Sequence, residues 1–144
     1  MKNVPPGIQT IRGVMGVCHL LVDEVGDVVL LDTGLVGEPA QIRWRLRQRG
    51  LGPGRVKAIL LTHGHSDHIA GNAALRARWP GLQIVIGRHD APKLADPAGN
   101  LSGAFGLALV SPPADRLLDD GDRLSLAAMT LDVVTIPGHS VGHV

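Results

Sequence analysis

The sequence has a single cysteine, one phenylalanine, two tryptophans and no tyrosine. A lone Cys18 excludes an internal disulfide framework and a cysteine-rich zinc knuckle, and is compatible with a reducing compartment. With aromatic residues at 2%, the stacking platforms that single-stranded nucleic acid needs are nearly absent. A formal net charge of +1 provides no basic footprint for a polyanion. No apolar run approaches the length of about 18 residues that a membrane span needs, and the first ten residues, with Pro5 and Pro6, lack the apolar core of a secretory signal. The expectation is a cytoplasmic protein without nucleic-acid or membrane partners, acting on a small molecule. At 144 residues, 44% hydrophobic and with mean hydropathy +0.17, the chain is apolar enough to fold around a core of Val, Leu, Ile and Ala. Its length suits one domain, residues 1–144.

Short apolar runs predict strands at residues 8–12, 17–24 and 28–31, the last ending in Asp32-Thr33-Gly34. Pro39, then Ile42 and Leu46 one helical turn apart, and Gly50 with Pro53 as a stop, predict a surface helix over 38–49. Residues 56–61 form an uninterrupted apolar run, the pattern of a strand covered on both faces, followed by a helix over 69–79. A strand at 83–87 and a helical turn at 90–94 come next. The Gly- and Pro-rich stretch 96–115 reads as a long loop with a short helix near 102–107. Asp119, Asp120 and Asp122 around Gly121 read as a hairpin turn rather than a calcium loop, with strands at 124–126 and 129–136.

Chemistry concentrates in Thr62-His63-Gly64-His65-Ser66-Asp67-His68, four metal-ligand side chains within six residues between a strand and a helix. Residues two apart in an extended loop point the same way, so His63 and His65 can share one ion. Asp67 and His68, turning into the helix, can hold a second. A mixed imidazole and carboxylate set suits zinc, with manganese and iron as alternatives. His139 follows another apolar strand and lies in a glycine-flanked turn, which makes it the third ligand of the first ion. Three protein ligands with one open position are the arrangement of a catalytic zinc. The remaining candidates read as ordinary positions: Cys18 in the core, Trp44 and Trp79 packing on helices, His19 and His89 polar, and His143 structural or facing a substrate.

The stretch from Leu60 through His63, His65, Asp67 and His68 to Gly71 resembles the His-x-His-x-Asp-His signature of the metallo-β-lactamase superfamily. Val29-Leu30-Leu31-Asp32-Thr33-Gly34 and Pro137-Gly138-His139-Ser140-Val141-Gly142-His143 are similar to two further family motifs, in the same order. The resemblance implies an α/β fold, the N-terminal half of an αββα sandwich. It implies His63, His65 and His139 as ligands of the first metal, Asp67 and His68 at the second, Asp67 as a catalytic group, and Asp32 as a buried carboxylate steadying the ligands. The turn after His139, with weaker similarity at residues 100–102 and 112–117, looks like the glyoxalase II-like branch. His65, where flavodiiron relatives carry Glu, points away from redox chemistry. The implied function is zinc-dependent thioester hydrolysis by metal-bound hydroxide on a hydroxyacylglutathione-like substrate. Alternatives are a lactonase, an iron-dependent sulfur dioxygenase, or a noncatalytic fragment that serves as an interaction module. The family's metal-bridging Asp and final His are not found after His139, which implies a chain lacking the C-terminal half. An uncovered sheet face would then favour self-association.

Overall fold

A computed structural model describes residues 7–12, 17–35 and 38–144. The apolar runs pair into one six-stranded sheet in sequence order: β1 (Gly7–Arg12), β2 (Val17–Val22), β3 (Val28–Leu31), β4 (Val56–Leu61), β5 (Gln83–Gly87) and β6 (Arg116–Leu118). β1, β2 and β3 are antiparallel neighbours, whereas β3 to β6 run parallel. The change of direction follows from the connections. β2 and β3 are joined by a tight turn in which Asp23 Oδ1 accepts the N–H groups of Val25 and Asp27 at 3.0 and 2.7 Å, with Gly26 at φ 83°. From β3 onward the chain crosses over through helices, and parallel pairing requires such crossovers. α1 (Glu38–Gln48) links β3 to β4, and α2 (Ser66–Ile69) with α3 (Asn72–Arg78) links β4 to β5.

Alternation along the strands builds two cores. Leu20, Leu30, Ile59, Leu61, Ile84 and Ile86 face the helices and meet Ile42, Leu46, Leu75 and Trp79. Leu21, Val29, Leu60, Val85 and Leu118 face the opposite way, where they meet Leu124, Leu126 and Val133. The latter come from a small antiparallel pair, β7 (Arg123–Leu126) with β8 (Met129–Asp132), and the segment after it. Asp23 ties this pair to the main sheet by accepting the Ala128 N–H at Oδ2, 2.9 Å. The layer order is therefore helices, large sheet, small sheet. β4 is covered on both faces, which is why its sequence is continuously apolar. Truncating Ile59 or Leu61, both fully buried, to Ala is expected to cost about 2–5 kcal/mol.

Several expectations need correction. The single helix over 69–79 is two, broken at Gly71, because a Cβ there would lie 2.7 Å from the Thr33 carbonyl and the Gly71 N–H donates to Thr33 Oγ1 at 3.1 Å. The turn at 119–122 joins β6 to β7, strands of different sheets, and is not a hairpin. The strand expected to Ile136 stops pairing at Asp132; the Val133 N–H goes to the Asp122 carbonyl and that of Ile136 to the His143 carbonyl, each at 2.8 Å. Trp44 is 50% exposed, with the Arg45 guanidinium 4.7 Å from its ring centroid, so only Trp79 packs in the core. β6 was not foreseen. Cys18 is buried, as expected of a core residue.

Candidate metal centre

Three parallel strands end beside one another, and each releases a chemically active residue at its carboxyl end: β3 leads to Asp32, β4 to His63 and β5 to Asp90. In open α/β sheets this is the edge where ligands bind. Asp32 adopts φ 61°, a left-handed conformation that Asp and Asn tolerate better than other side chains. That bend turns its buried carboxylate back across the strand ends. Oδ1 accepts the Thr62 N–H and Oδ2 the Thr62 hydroxyl, both at 2.9 Å, and His68 Nδ1 lies 2.9 Å from Oδ2. A carboxylate only accepts, so His68 donates from Nδ1 and turns the lone pair of Nε2 outward. Thr33 completes the clamp: its N–H and hydroxyl both donate to the His68 carbonyl, at 2.8 and 3.0 Å, and its Oγ1 lies 2.9 Å from Asn72 Oδ1.

His63, His65 and His139 meet at one point. His65 Nδ1 is 3.1 Å from His139 Nε2, which is 3.2 Å from His63 Nε2. A tetrahedral zinc with bonds of about 2.0–2.1 Å holds its ligand nitrogens about 3.3–3.4 Å apart, so this donor set fits such an ion with little adjustment. The electrostatics agree. Burial, then the neighbouring His68 and His65, hold the His63 imidazole down to about 4, and burial, then Lys93 and His139, lower that of His65. Both rings are neutral near pH 7, as ligands must be. His63 Nδ1, 3.1 Å from Thr62 Oγ1, is oriented from the side away from the meeting point.

His63, Asp67 and His68 form a second group whose ligand atoms all lie within 4.8 Å of one another. Asp67 is 55% exposed, with Oδ2 3.4 Å from His68 Nε2. Burial opposes charge on His68, but the hydrogen bond and charge of Asp32 outweigh it and raise its pKa. The structure thus gathers every residue that the sequence proposed for the site. His143 joins them: its ring stacks on His63 with centroids 5.0 Å apart, and its Nδ1 is buried without a hydrogen-bond partner among the described residues. His89 is exposed and takes no part in either group.

Sequence reasoning missed Asp90, and gave Asn100 no role beyond the similarity at residues 100–102; both are fully buried. The Asn100 side-chain amide donates to the carbonyls of Lys93 and Leu109 at 3.1 and 2.9 Å, and its backbone carbonyl receives the Ser66 N–H at 2.8 Å. The long loop is thereby anchored to the first residue of α2. Asp90 follows β5 by three residues, as Asp32 and His63 follow β3 and β4 by one and two, and a ligand-type or acidic residue just past an apolar strand is the local signal that could have found it.

A three-layer α/β frame carrying two overlapping clusters of metal-ligand side chains at the carboxyl edge of its parallel strands defines an α/β protein with a candidate metal centre. Residues 11–144 match the family model of the metallo-beta-lactamase superfamily, and the chain belongs to that superfamily. It is similar to a probable metallo-hydrolase of Bacillus subtilis, 33% identical over 117 residues, which cover 81% of this chain and 53% of the relative. It is also similar to a hydroxyacylglutathione hydrolase of Hamiltonella defensa, 32% identical over 125 residues, 87% of this chain and 40% of the relative. Among solved structures, the BLEG-1 B3 metallo-beta-lactamase superposes with TM-score 0.82 at 28% identity, covering 95% of this chain and 65% of that one. The chain spans about half the length of the curated relatives it matches. No helix among the described residues is long and apolar enough to cross a membrane.

Proposed function

We propose that this chain supplies the metal-holding part of a zinc-dependent thioester hydrolase, with a hydroxyacylglutathione-like substrate. The observation that carries the reading is the convergence of the three imidazoles of His63, His65 and His139 on one point, at spacings that suit a tetrahedral ion, whose fourth position would then be left for water or substrate. The similarity to hydroxyacylglutathione hydrolases supports the choice of a thioester. An ion held by His63, His65 and His139 supplies Lewis acidity, polarising an acyl carbonyl and acidifying water.

The chain's own groups do the rest. Asp67, exposed beside the cluster, accepts a proton or a hydrogen bond from the attacking water. Thr62 and Asp32 fix the directions in which His63 and His68 present their nitrogens. Since His63 Nε2 can serve only one ion, a second would keep Asp67 and His68, so the first binds more firmly. Metal analysis after dialysis tests the ligand set. His63→Ala and His139→Ala should each lose the firmly bound ion, whereas His89→Ala keeps it; unchanged stoichiometry in both ligand variants sinks the assignment. Zinc, iron and manganese reconstitution with a hydroxyacylglutathione thioester assay tests the reaction. Oxygen uptake by the iron-loaded chain with an organic persulfide, without thioester cleavage under any of the three metals, would replace hydrolysis by the dioxygenase alternative.

A further inference from the structure

His139 reaches the other histidines from a segment without strand or helix. It is itself exposed, as are Ile136, Gly138 and Val141 around it. Something other than a ladder must hold it in register with His63 and His65, which follow directly from β4. The fully buried carboxylate of Asp90 spans the two. Its Oδ2 accepts the N–H of Gly64, the residue between His63 and His65, at 2.8 Å. Its Oδ1 accepts the N–H of Gly142 at 2.8 Å and the hydroxyl of Ser140, next to His139, at 2.6 Å. Lys93 Nζ lies 3.1 Å from Oδ1 and also donates to Ser140 Oγ, placing a cation beside the buried anion.

Backbone packing shows how closely these loops are pressed together. A Cβ at Gly142 would lie 2.4 Å from the Asp90 nitrogen, and one at Gly64 would lie 2.9 Å from the Asp90 carbonyl oxygen. Glycine at both positions lets the two ligand-bearing loops dock on the same residue. Charge-assisted hydrogen bonds are roughly twice as strong as neutral ones and directional, so a carboxylate gripping donors from two loops fixes their relative position.

We infer that Asp90 is a positioning residue of the metal centre: its carboxylate clamps the loop carrying His139 onto the loop carrying His63 and His65, and so sets the geometry of the three-His site. The inference rests on the reading of that trio as a metal site, and its test separates the two. Co2+ alone is titrated against a competing chelator into the chain and into His63→Ala, which establishes the site without touching Asp90. Asp90→Asn should then weaken Co2+ binding by about 10–100 fold and alter the visible absorption of bound Co2+, whereas a purely structural residue would leave the spectrum of the folded protein unchanged. Ser140→Ala should act in the same direction with a smaller effect. In a His139→Ala background the additional loss caused by Asp90→Asn should vanish, since there is no third ligand left to position. Wild-type affinity and spectrum in folded Asp90→Asn, or an undiminished effect without His139, would overturn the inference. Should Asp90→Asn fail to fold, Ser140→Ala carries the same cycle and decides it. If His63→Ala binds Co2+ as tightly as the parent chain, the metal reading itself falls. Hydrogen exchange of amides 138–143 in the metal-free chain then still reads the clamp: faster exchange on loss of the carboxylate supports it and unchanged exchange refutes it.

Discussion

Replacing Asp32 by Asn removes a charge while preserving shape, and φ 61° is a conformation Asn accepts, so the change isolates the electrostatic role. Ala would add backbone strain to the lost hydrogen bonds. The Asn carbonyl can take over the Thr62 N–H at 2.9 Å, which leaves its NH2 group facing Thr62 Oγ1 and His68 Nδ1. Two donors cannot share that contact, so His68 must present a lone pair at Nδ1 and carry its proton on Nε2. Nε2 is the nitrogen that faces Asp67, and protonating it removes His68 as a ligand. Losing a hydrogen bond to a charged group is worth about 1.5–3 kcal/mol, so affinity at the Asp67–His68 position should fall roughly ten- to a hundredfold. The three-His position, which Asp32 reaches only through Thr62, should change much less. Chelator competition with Zn2+ gives the affinities, and nitrogen-15 NMR of the imidazoles reports which ring nitrogen of His68 carries the proton. If His68 keeps its proton on Nδ1 and the second affinity is unaltered, the orienting role assigned to Asp32 is wrong.

The metal-free chain should lose stability in mild acid. The unfolded chain protonates His63 near 6.5 whereas the folded one resists until about 4, so this contribution is complete above about 6.5 and up to about 3 kcal/mol disappears as the pH falls toward 4; urea melts across that window would show it. His68 acts with the opposite sign, since its raised pKa stabilises the fold below the ordinary value and that gain is lost as pH rises through the folded pKa; His68→Ala should therefore flatten the alkaline side of the same profile. Gly71→Ala should cost about 1–3 kcal/mol in equilibrium unfolding, because its methyl would collide with Thr33; a variant as stable as the parent would show that the two loops are not so tightly packed. Val134, 63% exposed, lines an apolar cavity of about 230 Å³ together with Leu21, Leu60, Leu131 and Val133, and Ile136 and Val141 nearby in sequence are 57% and 69% exposed, so the chain is expected to self-associate. Light scattering after size exclusion would check this, and a monomer at every concentration would refute it.

The strands at 28–31, 56–61 and 83–87 were legible to the residue because each lies between two apolar layers, which leaves no polar interruption to confuse the reading. β6 was illegible: it is three residues long, and of these only Leu118 is buried, too little for any period to register. The break at Gly71 and the exposure of Trp44 depend on what lies across space, from Thr33 in one case and from solvent in the other. The same division holds at the site. Four ligand-type side chains in six residues announce themselves locally, and His139 could be matched to them by its glycine-flanked turn after a strand. Asp90 and Asn100 are single polar residues in unremarkable contexts, and their importance arises only when chain segments up to 52 residues away fold onto them.

The contacts that His139 makes with His65 and His63 span 74 and 76 positions of the chain, whereas His63, His65 and His68 belong to one short segment. Assembly of the cluster is therefore expected to be divided in time as well as in sequence: pairing of β3 and β4 can set the short segment, whereas adding its last member requires closing a loop of more than seventy residues, at an entropic cost that grows with the logarithm of its length. An ion bridging the two would act as a non-covalent staple, drawing its stabilisation partly from the freedom it removes from the unfolded chain. Chelation should accordingly be felt first at the far end of that loop, as faster exchange and easier proteolysis beyond β8, while the parallel strands keep their protection.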